Sequence, residues 1–283
     1  MPFSHLDVLP GGTHMLGKPD YYSKTKKLPA GLYTVGYDEF KNMLFYPSTV
    51  ETDQLITLEK SVAHTVIEEI DLFLTPEVKQ AYIDYQFMYR RGVLLYGPPG
   101  TGKTSTVVEI AKEFVKRHNG IVLLNCRTGF ISHFIKAYRQ VDPTRLFLVT
   151  LEEIDGRIDD GEETTLLNLL DGEDSLDNTI YLATTNYIQN MPPRFKNRPS
   201  RFASVIEIGY PSEQVRKAFL DKKLLPRDHE RIDTSMLAKA TDGFTVDHLK
   251  DLIVTICCLN LQPDVAVKRM KEMIASGADA ADE

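Results

Sequence analysis

Gly97-Pro98-Pro99-Gly100-Thr101-Gly102-Lys103-Thr104 lies between the apolar run Val93 to Tyr96 and a helical pattern carried by Val107, Val108, Ala111, Phe114 and Val115. A glycine-rich turn in that context lets backbone N–H groups face inward around phosphate oxygens, and the helix that follows aims its positive end at them. Lys103 is then placed for the β and γ phosphates of a nucleotide, and the Thr104 hydroxyl for magnesium. The stretch predicts a strand, a phosphate loop and a helix, the opening unit of a parallel α/β sheet.

Outward from the loop, four more short apolar runs recur: Ile121 to Asn125, Leu146 to Leu151, Thr179 to Thr184 and Ser204 to Ile208. Their hydrophobicity is continuous rather than alternating, so the strands are expected to be covered on both faces. With Val93 to Tyr96 they predict a five-stranded parallel sheet with helices on both sides. The run from Leu146 ends on two acids, Glu152 and Glu153, at the strand's C-terminal edge, where doubly wound sheets bind ligands. Glu152 is expected to hold magnesium through its water shell beside Thr104, and Glu153 to orient and deprotonate water.

After Pro211 the strands stop. Helices near Ser212 to Lys223, Thr234 to Ala240, Thr245 to Asn260 and Pro263 to Ala275 predict a separate helical domain. Toward the N-terminus, five tyrosines (Tyr21, Tyr22, Tyr33, Tyr37 and Tyr46) are interspersed with prolines and glycines, reading as irregular chain leading into short strands at Gly31 to Gly36 and Met43 to Tyr46. A helix from about Leu58 to Phe73 follows, since Val62, Val66, Ile70 and Phe73 recur at helical spacing. Thr75 then caps a second helix with Pro76 at its first position. The expected domains are 1–56, a small N-terminal region with short strands; 57–210, the α/β domain; 211–275, the helical domain; and 276–283, a small-residue acidic tail without structure. Removing residues up to Tyr46 is expected to leave the α/β core folded.

Charge and composition narrow the partners. The 283 residues hold 33 Lys+Arg against 40 Asp+Glu, a net −7, which argues against coating nucleic acid or an acidic membrane. Cys126, Cys257 and Cys258 lack zinc-ligand spacing and form no disulfide framework, fitting a reducing, cytoplasmic compartment. No apolar run approaches the ~18 residues of a membrane helix, and the segment from Met1 lacks a basic, then apolar leader, so neither spanning nor secretion is expected.

The run Tyr89-Arg90-Arg91-Gly92-Val93-Leu94-Leu95-Tyr96 into the phosphate loop and Ser105, followed by the two acids, resembles the AAA branch of the AAA+ ATPases. It is similar to the soluble core of the mitochondrial inner-membrane AAA ATPases that translocate the Rieske iron–sulfur protein, and to short AAA ATPases of phages and bacteria. The likeness covers about Leu58 to Leu261. It implies magnesium-dependent hydrolysis of ATP to ADP and phosphate, a helical lid, a homo-oligomeric ring of six or seven copies, a protein substrate or adaptor, and the cytoplasm of a bacterium or phage-infected host. The nucleotide is implied to contact Gly97, Pro98, Pro99, Gly100, Thr101, Gly102, Lys103, Thr104 and Ser105.

Further positions are carried by the same resemblance. Thr184-Thr185-Asn186 resembles the sensor 1 motif, where Asn186 would bond the γ-phosphate or the attacking water. Leu169-Leu170-Asp171-Gly172 is typical of the branch. Arg198-Pro199-Ser200-Arg201-Phe202 resembles the box whose arginines, Arg198 and Arg201 here, reach the neighbouring subunit's nucleotide as fingers. Asn125 matches a polar position that in relatives restrains the catalytic glutamate; a simple strand-end cap is the competing reading. The family usually has aspartate where this chain has Glu152, and Gly243 to Leu249 resembles a lid segment without a sensor 2 arginine. Cys126 to Phe130 is short, leaving Phe130 as the one candidate for a pore aromatic, or else a core residue beside Phe134 and Ile135. A DNA- or RNA-associated motor or clamp-loader-like ATPase is the alternative function. It rests on Arg194, Lys196, Arg198 and Arg201 alone and is opposed by the net charge.

Lys103→Ala is expected to abolish nucleotide binding, measured by titration calorimetry; an unchanged ATP affinity would contradict the loop assignment.

Overall fold

The computed structural model describes residues 5–9, 13–17, 27–49, 61–172, 174, 176–196, 198 and 200–279. Tyr21, Tyr22, Leu58 and Pro199 lie outside them. The chain divides into two compact units: Met1–Leu55, Lys60–Tyr96 and Thr104–Glu207 in the first, and Ile56–Glu59, Gly97–Lys103 and Ile208–Glu283 in the second.

The first unit is built on a mixed nine-stranded sheet. Its strands are β1 (His5–Val8), β2 (His14–Gly17), β3 (Gly31–Tyr37), β4 (Met43–Pro47), β5 (Arg90–Tyr96), β6 (Ile121–Leu123), β7 (Phe147–Leu151), β8 (Thr179–Thr185) and β9 (Ser204–Glu207), in the order β1-β2-β4-β3-β6-β7-β8-β5-β9. From β6 to β9 every neighbouring pair is parallel. All residues of β6, β7 and β8 are buried, as their unbroken hydrophobicity demands. Edge strand β9 instead alternates between half-buried and exposed.

The expected five-stranded sheet is part of a larger one, which the N-terminal strands enter. β3 runs parallel to β6 with Tyr33 opposite Leu123, and β4, β2 and β1 continue the sheet in antiparallel fashion. The cause is apolar: Leu28, Tyr33, Met43 and Phe45 share one core with Phe134, Tyr138 and Phe147 of the α/β unit. Phe45 is fully buried, its ring 5.6 Å from Phe134 and 5.7 Å from Tyr138 in edge-to-face contact.

Helices α1 (Val62–Phe73), α2 (Pro76–Asp84), α3 (Lys103–His118) and α4 (Thr128–Tyr138) lie before β7 in the chain. Ser61 and Thr75 cap α1 and α2 through their hydroxyls, and Pro76 opens α2. After β7 come α5 (Ile154–Arg157), a π-helical turn (Ile158–Glu162) and α6 (Glu163–Asp171); α7 (Pro193–Lys196) precedes β9.

The second unit is helical: α8 (Glu213–Lys223), α9 (Pro226–His229), α10 (Thr234–Ala240), α11 (Val246–Ile253), a π-helical turn (Val254–Cys258) and α12 (Pro263–Asp279). Phe219, Leu220, Leu237, Phe244, Leu249 and Leu252 centre its core. Buried Arg216 ties this unit together, donating to the carbonyls of Ala238 and Pro211 at 3.0 and 2.7 Å. α12 continues through Ser276 to Asp279, so the structureless tail expected from Ser276 is corrected over those residues. Among the described residues no helix is long and apolar enough to cross a membrane.

Because β3 and β4 complete the core, deleting residues up to Tyr46 should now abolish folding rather than spare it. Phe45→Ala should cost about 3–5 kcal/mol, read as a lower midpoint in chemical denaturation; a deletion variant with the parent's cooperative melt would contradict this.

Candidate functional site

The loop at residues 97–103 is shaped by glycine. Gly97 has φ 152°, and a side chain there would place Cβ 2.1 Å from the Ile208 carbonyl oxygen. Gly100 has φ 76°, with Thr245 Oγ1 2.9 Å from the position a Cβ would take. Only glycine satisfies both the left-handed angle and the close approach. Thr101 Oγ1 donates to the Pro98 carbonyl at 2.9 Å. Lys103, 7% exposed, curls its ammonium over the same loop, donating to the carbonyls of Gly97 and Pro98 at 2.7 and 2.8 Å. The start of α11 meets the loop through the Asp247 N–H, which donates to the Gly100 carbonyl at 3.2 Å.

In the α/β unit, Thr104 and Ser105 stand in the first turn of α3. The Thr104 hydroxyl donates to Glu152 Oε2 at 2.7 Å. An all-oxygen pair with only two protein donors fits magnesium, which keeps most of its shell as water and phosphate oxygen. Among the described residues no group of three or more His, Cys, Asp or Glu side chains could hold a metal.

Glu152 and Glu153 follow directly on β7. Glu153 is left-handed, φ 52° and ψ 53°, and its N–H donates to Thr184 Oγ1 of β8 at 3.0 Å. Asn186 follows β8, half-buried, one residue past Thr185, which is paired with Tyr96 of β5. Register thus sets the acids, Asn186 and the exit to the phosphate loop on three neighbouring strand ends.

Asn125 acts here as a strand-end cap. It is left-handed at φ 43°, its N–H donates to Thr150 Oγ1 at 3.0 Å, and its Oδ1 accepts from the Glu152 N–H at 3.3 Å and from Arg157. Arg157 escaped the sequence reading, its only signal being its place one helical turn after Glu153. Thr150 and Thr184, hydroxyls in otherwise apolar strands, escaped it too. Burial of neighbouring Cys126 pushes its thiol up to about 11 and disfavours the thiolate.

The two arginines expected as fingers part company. Arg198 is exposed, 61% at the side chain, its Nη1 3.9 Å from Asp171 Oδ2. Arg201 is 6% exposed; its Nη1 donates to the Arg194 carbonyl at 2.5 Å and its Nε lies 2.9 Å from Asp171 Oδ2, an ion pair rather than an aligned hydrogen bond. Within its own chain, burial and Asp171 hold the Arg201 guanidinium. Phe130 is half-buried, packed edge-to-face on Tyr37 at 5.2 Å and 6.2 Å from Phe134, in the core arrangement.

Residues 93–210 match the family described as "ATPase family associated with various cellular activities (AAA)". The chain is 34% identical over 187 residues to a proteasome-activating nucleotidase of Aeropyrum pernix, covering 58% of this chain and 44% of that protein. It is 31% identical over 179 residues to a cell division cycle protein 48 homolog of Archaeoglobus fulgidus, covering 57% of this chain and 24% of that protein. The matched stretch spans less than half of either relative.

Arg201→Ala should destabilise the fold by about 3 kcal/mol, because Asp171, 13% exposed at the side chain, loses the cation 2.9 Å from it, whereas exposed Arg198→Ala should cost less than about 1 kcal/mol. Equal denaturation midpoints for the two variants would contradict the division.

Proposed function

We propose that this chain, whose residues 93–210 match the AAA ATPase family, is an ATP-hydrolysing ring ATPase that remodels or translocates a protein partner. The observation that carries the reading is the 2.7 Å approach of the Thr104 hydroxyl to the Glu152 carboxylate, with Glu153 next in the chain on a strand end fixed by Thr184. Lys103 exchanges its loop carbonyls for the β and γ phosphate oxygens of ATP, and the N–H groups of the loop and of α3 bind the rest of the triphosphate. When bound, magnesium neutralises charge on the phosphate oxygens; Thr104 holds it directly and Glu152 through water. Glu153 accepts the proton of the attacking water, and Asn186 holds that water or the γ-phosphate in line.

Arg198 is the residue offered to a neighbouring copy. Exposed and weakly paired, it completes that copy's site as a finger, an interaction commonly worth about 10³ to 10⁵ in rate. Arg201 braces it from below through the shared Asp171. A contact of this kind is head-to-tail and closes by rotation into a ring, here of six or seven copies. A protein partner is favoured by the net charge of −7, which repels a phosphate backbone, and by the relatives, one of which is named for activating a proteasome. A cytoplasmic site of action completes the reading.

Glu153→Gln should keep ATP affinity while slowing turnover by at least ~10²-fold, and should retain the protein partner in affinity capture. Arg198→Ala mixed with Lys103→Ala should recover activity at mixed interfaces. A chain that stays monomeric with a non-hydrolysable ATP analogue and still turns over would sink the ring, and tight, salt-sensitive DNA binding that stimulates hydrolysis would favour a nucleic-acid motor.

A further inference from the structure

Arg157 gathers more partners than any role so far explains. Its Nη1 donates to the Cys126 carbonyl at 3.0 Å and to Thr128 Oγ1 at 3.2 Å, its Nη2 to Asn125 Oδ1, and its Nε to the Glu152 carbonyl at 3.4 Å. The Glu162 carboxylate lies 3.8 Å from Nη1 and accepts a 2.5 Å hydrogen bond from Thr128. The side chain is 16% exposed, so these bonds are made largely out of water. One planar fork therefore joins the end of β6, the end of β7, the first turn of α4 and the π-helical turn. A lysine, with a single point charge, could not span these acceptors.

The fork closes around one peptide in particular. The Glu152 N–H is held by Asn125 Oδ1 and the Glu152 carbonyl by Arg157, which also fixes that same Asn125 oxygen. Both flanking residues that must stay left-handed, Asn125 and Glu153, lie within this frame. α4 has no side-chain cap of its own at Arg127, so the bonds of Arg157 to Cys126 and Thr128 supply the hold on its first turn.

We propose that Arg157 is a positioning residue for the acid pair, setting Glu152 and Glu153 through Asn125 and the Glu152 peptide and linking both to the first turn of α4. The inference rests on the hydrolytic reading above for its consequence in rate, and on geometry alone for its structural half. The hydrogen bonds of Arg157 go to Asn125, Cys126, Thr128 and the Glu152 carbonyl, so its loss should spare nucleotide binding and act on turnover.

The test uses the full chain with Arg157→Ala, Arg157→Lys, Asn125→Ala and the Arg157→Ala/Asn125→Ala double variant. Expected for Arg157→Ala are a turnover number at least tenfold lower, an ATP Kd within twofold of the parent, and a several-fold higher magnesium concentration for half-maximal rate. Arg157→Lys should recover only part of the rate. The double variant should be no slower than Arg157→Ala, because the two residues act on one peptide. Hydrogen exchange without nucleotide supplies the readout independent of activity: peptides covering 124–130 and 150–155 should lose protection together in Arg157→Ala, while α8 and α10 keep theirs. Unchanged exchange in those peptides, parent-like turnover in Arg157→Ala, or a rate loss that only tracks lost ATP affinity would each overturn the proposal. A parent that hydrolyses no ATP would instead overturn the function proposed above, and the exchange result would still decide whether Arg157 fixes the two turns.

Discussion

The bond from the Glu153 N–H to the Thr184 hydroxyl is the constraint on which the site depends. A strand buried on both faces leaves its sheet where its ladder partners end, and a hydrogen bond found for the next N–H contributes about 0.5–1.5 kcal/mol. Here the neighbouring strand supplies the acceptor, and it does so twice. β8 offers Thr184 to the end of β7, and β7 offers Thr150 to the end of β6 at Asn125. Thr150 and Thr184 are almost fully buried, 0% and 2% exposed, where valine would pack equally well and accept nothing. The hydroxyls offset the cost of two left-handed non-glycine residues, about 1–2 kcal/mol each. That turn lets α5 begin immediately after the second acid, so Glu152 meets Thr104 while Glu153 stays on the strand end.

Much of this was legible in the sequence because it is written in local chemistry. Continuous apolar runs marked the five strands from β5 to β9, the glycine spacing marked the loop, and Thr75-Pro76 marked a helix start. What was not legible depends on pairing between distant segments. Nothing in Gly31 to Tyr37 states that it will lie beside Ile121 to Leu123, since a tyrosine-rich strand with half-buried faces reads equally as a small separate sheet. β1 and β2 are four residues each, too short for a periodic signal. Strand β6 ends at Leu123 rather than Asn125 because a left-handed residue stops the ladder, an angle that asparagine tolerates but does not announce. The acid pair was legible as residues, whereas Arg157, their frame, was an ordinary charge on a short helix until three chain segments met around it.

Arg198 and Arg201 show the same limit from the other side. Spacing alone gives two equivalent arginines, but Asp171 at the end of α6 has one carboxylate for both, and burial decides between them. At 2.9 Å in a nearly dry setting the Arg201 pair is held firmly, while at 3.9 Å and largely in water the Arg198 pair is worth little. The Ser200 hydroxyl also donates to Asp171 at 3.2 Å, fixing the carboxylate further. Such an arrangement leaves Arg198 exposed, because Arg201 has already satisfied the acid.

The N-terminal strands bear on how α4 is held. Tyr37 of β3 packs its ring on Phe130 and donates or accepts a 2.7 Å hydrogen bond with His133, both on α4. Freeing Phe130 to contact cargo would forfeit part of the ~1.5–3 kcal/mol that burying such a side chain provides, together with its aromatic contacts. The turn at 125–128 is bound at the same time by Arg157 and Thr150. An aromatic so committed is poorly suited to gripping an extended chain on every cycle. The physical cost therefore keeps Phe130 in this core, and β3 serves as a strut for α4.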